Sequence, residues 1–229
     1  TQNHGSGCSC DGNLLIESSV YAGFLDALQK EGGYLCNAEE KAQLEAVMWD
    51  AHGRRTLDTV ARAAKVIAEK AGIALPEGKS FLIAEEANIG KAYKFSSEKL
   101  SPVLATFKYT GFDNLLKMVA AIFEVGGKGH SVGIASFDDD HIHRLAMMAP
   151  VSRIMVRQPN VSGNAGSFTN GMPMTASLGC GTWGGNITSE NISVKHYMNT
   201  TWVSRTIPED RPTEQELLGE FFNSQTFDA

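Results

Sequence analysis

Residues 4–10 read His-Gly-Ser-Gly-Cys-Ser-Cys, placing the thiols of Cys8 and Cys10 among glycines and serines beside His4, with Asp11 immediately after. Three chemistries suit such a stretch: a nucleophilic thiolate, part of a metal site, or inert thiols on a loop. A nucleophile needs substrate access and a lowered pKa, and Gly5 and Gly7 remove side chains that would crowd Cys8. A metal site would take His4, Cys8 and Cys10 with Cys36 or Cys180 as a fourth ligand. The C-x-C spacing is tighter than the two to four intervening residues of structural zinc sites, so no metal is expected. An inert thiol remains open, because cysteine packs as a small hydrophobe.

Two further residues carry chemistry only in context. Glu98 reads by itself as a solvated surface carboxylate, and His130, beside an apolar run, as a hydrogen-bonded structural histidine. Residues 179–184, Gly-Cys-Gly-Thr-Trp-Gly, satisfy the three-glycine dinucleotide pattern. That fingerprint works only where a strand precedes the first glycine and a helix opens at the last. Here a loop precedes it and Asn186, Ile187 and Thr188 follow, so close backbone packing near a substrate is the expected role.

The elements that must position these groups follow from periodicity. A strand is expected at 13–18, then a helix with Val20, Phe24, Leu25 and Leu28 on one face, ending at Gly32–Gly33. A second helix starts at Asn37 with Glu40 at capping-box spacing, and a third is expected over 56–72, ending at Gly72. Strands at 80–84, 102–109, 131–136 and 153–157 alternate with helices at 112–125 and after Phe137. Such alternation predicts an α/β fold, a mostly parallel sheet with helices on both faces. Residues 158–199, rich in Gly, Asn, Ser and Thr, form a long loop expected to pack over a site. The β-prone run 200–207 is expected to be a late oligomerisation strand, pairing with another subunit. One domain over 1–229 is the simplest reading.

Composition excludes other classes. The net charge of −6 over 229 residues gives no basic surface for nucleic acid. The longest apolar runs fall short of the ~20 residues that span a bilayer, and no basic-then-apolar leader is read. Four scattered cysteines suit a reducing compartment, so a cytoplasmic protein is expected.

Five blocks then occur in order: GSGCSCDGNLLIESSVY from Gly5, EKLSPVLATFK from Glu98, GGKGHS from Gly126, RIMVRQP from Arg153, and SLGCGTWGGNITSENISVKHYMN from Ser177. Together they resemble the catalytic half of the CoA-acylating aldehyde dehydrogenases, over about residues 3–205. The resemblance implies that Cys8, thirteen residues before Tyr21, is the nucleophile. It implies that Glu98 holds the nicotinamide ribose and that His130 handles a proton. Asp11 departs from the family's usual Glu, and Cys10 from a small residue without a thiol, leaving a possible side disulfide on oxidation.

What this implies is oxidation of a short aldehyde to its acyl-CoA through a cysteine thioester, with NAD or NADP as hydride acceptor, CoA as cosubstrate, and a homo-oligomeric enzyme. His130 would accept the proton of the CoA thiol. The segment 208–222 is similar to the sulfoacetaldehyde branch, with Arg153, Arg157 and Arg205 as unassigned counter-charges for a sulfonate. Acetaldehyde and succinic semialdehyde are the other candidates. The family's dinucleotide-binding half lies mostly before the cysteine, and only seven residues precede Cys8, so the chain is expected to be a fragment. The alternatives are a non-catalytic oligomerisation module and a hydrolytic, non-acylating aldehyde dehydrogenase.

Overall fold

The structure, a computed structural model, describes residues 2–221. Strands and helices alternate as β1 (Asn13–Glu17), α1 (Tyr21–Lys30), β2 (Gly33–Leu35), α2 (Ala38–Met48), α3 (Ala64–Ala71), β3 (Phe81–Glu86) and β4 (Val103–Tyr109). They continue as α4 (Phe112–Gly126), β5 (Gly129–Ile134), α5 (Asp139–Met148), β6 (Val151–Val156) and α6 (Asn160–Asn164). Four strands form one parallel sheet in the order β1-β4-β3-β2, and β5 and β6 form a second parallel pair. This is the expected α/β fold.

Side-chain alternation explains why both faces are covered. Leu82 and Ala84 of β3, with Val103, Ala105 and Phe107 of β4, pack against Leu44 and Met48 of α2 and Ile67, Ala68 and Ala71 of α3. The intervening Phe81 and Ile83 turn to the other face and meet Tyr21 and Leu25 of α1. Successive strand residues point to opposite faces, so a strand buried on both sides reads as a continuous apolar run, as Phe81-Leu-Ile-Ala84 does. A third cluster joins Val119 of α4 and Leu145 of α5 to Val151 of β6.

Local signals set most boundaries. Asn37 accepts from the Glu40 backbone N–H at 2.9 Å while the Glu40 carboxylate accepts from the Asn37 N–H, the capping box read from the sequence. Gly72 closes α3 in the left-handed region, φ 75°. The helix expected over 56–72 is shorter than its pattern: only Ala64–Ala71 is helical, after a 3-10 turn at Leu57–Thr59. Ala61, at φ 55°, donates its N–H to the Leu100 carbonyl at 2.8 Å, and this tertiary bond breaks the helix where periodicity alone would continue it. The three-residue strand β2 was absent from the pattern because Gly33, Tyr34 and Leu35 are too few to show one.

From Tyr197 a second unit begins. Residues 200–207 form no strand with any described residue of this chain, and Trp202, Val203 and Ile207 are exposed. A short helix α7 (Glu214–Leu218) follows, with a capping box between Thr213 and Glu216. Of the segment 208–222 likened to the sulfoacetaldehyde branch, Phe222 lies outside the described residues. Among the described residues no helix is long and apolar enough to cross a membrane.

Candidate active site

Cys8 stands on a tight turn before β1, in which the Cys10 N–H donates to the Gly7 carbonyl at 2.9 Å, and its thiol is exposed. The loop is held close to the segment leading into β4. A Cβ on Gly5, at φ 71°, would lie 2.5 Å from the Ser101 carbonyl oxygen, so only glycine fits there. Gly5 therefore packs the loop onto the Ser101–Pro102 backbone rather than clearing space around the sulfur. Cys10 is half-buried, its Sγ 3.6 Å from the Gln2 carbonyl oxygen, and Cys36 lies in the core, its thiol pushed up to about 12 chiefly by burial. That thiol is the inert one.

Glu98 lies just before β4, on the same sheet end as Cys8, because Asn13 at the start of β1 is in register with Ala105 of β4. Its carboxylate is exposed and makes no ion pair or side-chain hydrogen bond among the described residues, leaving its oxygens open to ligand hydroxyls. The neighbouring Lys99 is 1% exposed. Its ammonium donates to Asn13 Oδ1 at 3.0 Å, to the Phe95 carbonyl at 2.6 Å and to the Ser97 carbonyl at 2.9 Å, using all three protons. Asn13 Nδ2 returns a bond to the Ser96 carbonyl at 3.0 Å. Burial first, and Arg55 second, pull the Lys99 pKa down to about 7. Lys99 thus locks the Glu98 segment to the foot of the cysteine loop.

His130 opens the second sheet, on β5. Its Nδ1 is 2.8 Å from Ser131 Oγ, and its Nε2 is buried without a partner among the described residues. Burial, then the positive charge of Arg153, hold its pKa below the ordinary histidine value, so the ring is neutral near pH 7. Burial lowers the pKa of Arg153, with Cys180 and then Cys8 acting in the opposite direction. Arg153 is 5% exposed, and its Nε, Nη1 and Nη2 donate to Asn191 Oδ1 at 2.8 Å, the Gly179 carbonyl at 2.8 Å and the Ser189 carbonyl at 3.2 Å. So engaged, Arg153 anchors the glycine-rich loop, and is not an idle counter-charge. Arg157 is exposed over the Phe137 ring, 4.8 Å from its centroid.

The three-glycine block behaves as its context predicted. Gly181 and Gly185 adopt positive φ around a 3-10 turn, no α-helix opens there, and a Cβ on Gly129 would lie 2.6 Å from the Cys180 carbonyl oxygen. The loop is pressed against the start of β5 by backbone contact. A hydrogen bond of 2.6 Å from Asn160 Nδ2 to Asp11 Oδ1 ties the cysteine loop to α6, beside β5 and β6.

Cys8, Glu98 and His130 each stand at the leading end of a parallel strand, before β1, before β4 and at the start of β5. The ties between them are indirect, running through Lys99 and Asn13 on one side and through Asp11, Asn160 and Arg153 on the other. Lys99, Ser131, Asn160 and Asn164 were not singled out from the sequence. Lys99 and Ser131 had a signal, each lying beside a named residue, Glu98 or His130, in a quoted block.

An α/β domain of this topology, with an exposed thiol on the loop that leads into β1, is shared with solved aldehyde dehydrogenase structures. No family model matches the chain. It is 41% identical over 223 residues to a sulfoacetaldehyde dehydrogenase of an Acholeplasma species, covering 96% of this chain and 46% of that protein. It is 38% identical over 224 residues to the acylating sulfoacetaldehyde dehydrogenase of Cupriavidus necator, covering 97% and 45%. An acetylating aldehyde dehydrogenase structure from Geobacillus thermoglucosidasius superposes with TM-score 0.81 at 35% identity, over 90% of this chain and 46% of that one. The chain is similar over nearly all of its length to acylating aldehyde dehydrogenases, and it spans about half the length of the curated relatives it matches.

Proposed function

We propose that the protein carrying this chain is a CoA-acylating aldehyde dehydrogenase, with sulfoacetaldehyde as the first candidate substrate and acetaldehyde or succinic semialdehyde next. The observation that carries this reading is the exposed Cys8 thiol on a turn clamped beside Glu98 through Asn13 and Lys99. In the proposed reaction the Cys8 thiolate attacks the aldehyde carbonyl carbon, forming a C–S bond and a thiohemiacetal. Transfer of its C–H hydride to the nicotinamide, with release of the hydroxyl proton, leaves a thioester on Cys8; the CoA sulfur then attacks the acyl carbon as its own proton is released, the acyl bond to Cys8 Sγ breaks, and the thiolate is restored.

The exposed Glu98 carboxylate fits the hydroxyl groups of a nicotinamide ribose, and the nicotinamide ring, when bound, supplies the hydride acceptor. Glu98 orients, and His130 supplies a neutral imidazole beside the site. The glycine-rich loop, anchored by Arg153, excludes water from the thioester. Sulfoacetaldehyde is placed first because curated relatives of that name share 37–41% identity with this chain.

Self-association through residues 200–207 belongs to the same proposal, supported by the exposure of Trp202, Val203 and Ile207. A cytoplasmic site is supported by Cys8, Cys10, Cys36 and Cys180 all being free thiols.

The test is NAD(P)H formation from each aldehyde, with and without CoA, using the full-length protein. CoA-dependent turnover with sulfoacetaldehyde fastest is expected. Equal rates without CoA would overturn the acylating assignment.

A further inference from the structure

The Glu98 side chain is exposed, yet the backbone on either side of it is held carbonyl by carbonyl. The Ser97 carbonyl, one residue before, accepts from the Lys99 ammonium at 2.9 Å. The Lys99 carbonyl, one residue after, accepts from Arg55 Nε at 3.0 Å and from Ser101 Oγ at 2.9 Å. The Leu100 carbonyl accepts from the Ala61 N–H at 2.8 Å. A free carboxylate therefore rides on a segment with little room to move. The same Lys99 ammonium reaches Asn13 Oδ1 at the start of β1 and the Phe95 carbonyl, so its three protons are all engaged. At 1% exposure and with no proton to spare, Lys99 cannot touch a ligand; what it can do is hold Glu98 in place.

We infer that Lys99 is a positioning residue for the nicotinamide cofactor: its ammonium fixes the segment from which Glu98 reaches the ribose, and so sets cofactor affinity rather than the rate of the thiol chemistry. This role rests on the proposed function for the ribose contact of Glu98. A carboxylate already held in its binding position adds no ordering cost when the cofactor arrives.

The geometry also makes the hold depend on pH. Loss of one proton leaves Lys99 two donors for three acceptors and turns a lone pair toward one of them. Burial and then Arg55 favour that loss while Glu86 and Glu98 oppose it, bringing the Lys99 pKa down to about 7. Glu86 is itself paired with Lys41 at 2.9 Å. Cofactor binding is therefore tightest below about pH 7 and weakens above it.

The test is calorimetric binding of NAD and NADP to the full-length protein between pH 6 and pH 8.5, alongside steady-state kinetics. In the parent, the Kd of whichever dinucleotide binds should rise about fivefold across that range. Lys99→Met should raise Kd about tenfold at pH 6 and flatten its pH dependence, with kcat within about threefold and aldehyde KM within about twofold of the parent. An unchanged Kd overturns the positioning role. So does a loss of kcat as large as the loss of affinity, the mark of a generally loosened fold. Asn13→Asp tests the same ammonium without removing it, and serves if Lys99→Met does not fold. It keeps the acceptor and sets a negative charge beside Lys99, which raises the lysine pKa, so the weakening should move to higher pH. A break that stays where the parent has it overturns the role.

A final arm separates the lysine from the function it serves. If Lys99 acts through Glu98, Lys99→Met should change Kd by less than about twofold in a Glu98→Ala background. The full tenfold there overturns the positioning role. A Kd left unmoved by Glu98→Ala alone overturns instead the ribose contact in the proposed function. The hold itself is then read from hydrogen exchange at the Ser96 and Ser97 amides, bonded to the Tyr93 and Lys94 carbonyls. Lys99→Met should speed that exchange at least about tenfold, and equal exchange overturns the hold.

Discussion

Asp11 and Asn160, 149 positions apart in the chain, meet in a 2.6 Å hydrogen bond that joins the cysteine loop to the helix after β6. The bond ties the loop that carries Cys8 to the side of the molecule that carries β5 and His130. Asp11→Ala should reduce kcat about tenfold, the size of a modest misalignment of reacting groups. Asp11→Asn retains an acceptor oxygen and should stay within about twofold. Comparing both variants by single-turnover kinetics checks this.

Removing the buried ammonium should cost stability before it costs chemistry. Lys99→Met leaves three acceptors, Asn13 Oδ1 and the Phe95 and Ser97 carbonyls, without their donor. A loss of about 3 kcal/mol is expected, which lowers Tm by roughly 6–12 °C for a chain of this size. Lys99→Arg should not rescue it, because a planar fork cannot aim at three acceptors set around a compact ammonium. Thermal unfolding of the three proteins is the measurement.

The pH dependence of stability has a determinate sign at His130. Its pKa is lower in the folded protein than the ordinary value near 6.5. As pH falls through about 6.5 the unfolded chain takes up a proton that the folded chain does not, and stability drops until the folded pKa is passed. The difference in urea midpoint between the parent and His130→Gln should therefore shift in favour of the variant between pH 7.5 and pH 5. Equal midpoint changes would contradict the buried neutral ring.

Cys8→Ser should abolish labelling by iodoacetamide at the cysteine loop's fastest site and remove the acyl-enzyme, yet leave Tm within about 2 °C, because the side chain is exposed. Cys36, deep in the core with its thiol pushed up to about 12, should resist the same reagent. Mass spectrometry of labelled peptides over a time course distinguishes the two.

Gly129→Ala tests the pressed loop. At φ 107° the position is unfavourable for any side chain, and the added methyl carbon would lie 2.6 Å from the Cys180 carbonyl oxygen. Expected is a drop in Tm together with faster proteolysis between Gly179 and Lys195.

How much of this was visible in the residues depends on the range of the forces involved. The capping box at Asn37, the glycine stop at Gly72 and the apolar run of β3 are local, and each was readable. The break in the third helix was not, because it comes from the bond between Ala61 and Leu100, far along the chain. Cys8, Glu98 and His130 were found through ordered blocks of resemblance, since neither a lone glutamate nor a lone histidine announces its role. Ser131 lies in the same quoted block as His130, whereas Asn160 and Asn164 lie outside every block, and their bonds to Asp11 and Ser131 exist only once the chain has folded.

The four-stranded sheet ends at β2, whose ladder to β3 has three rungs, Gly33 with Phe81, Tyr34 with Leu82 and Leu35 with Ile83. A border that short gives a stray chain little template on which to nucleate a fibre. Misassembly along that margin is therefore disfavoured by brevity alone, without the charged or proline gatekeepers that longer margins require.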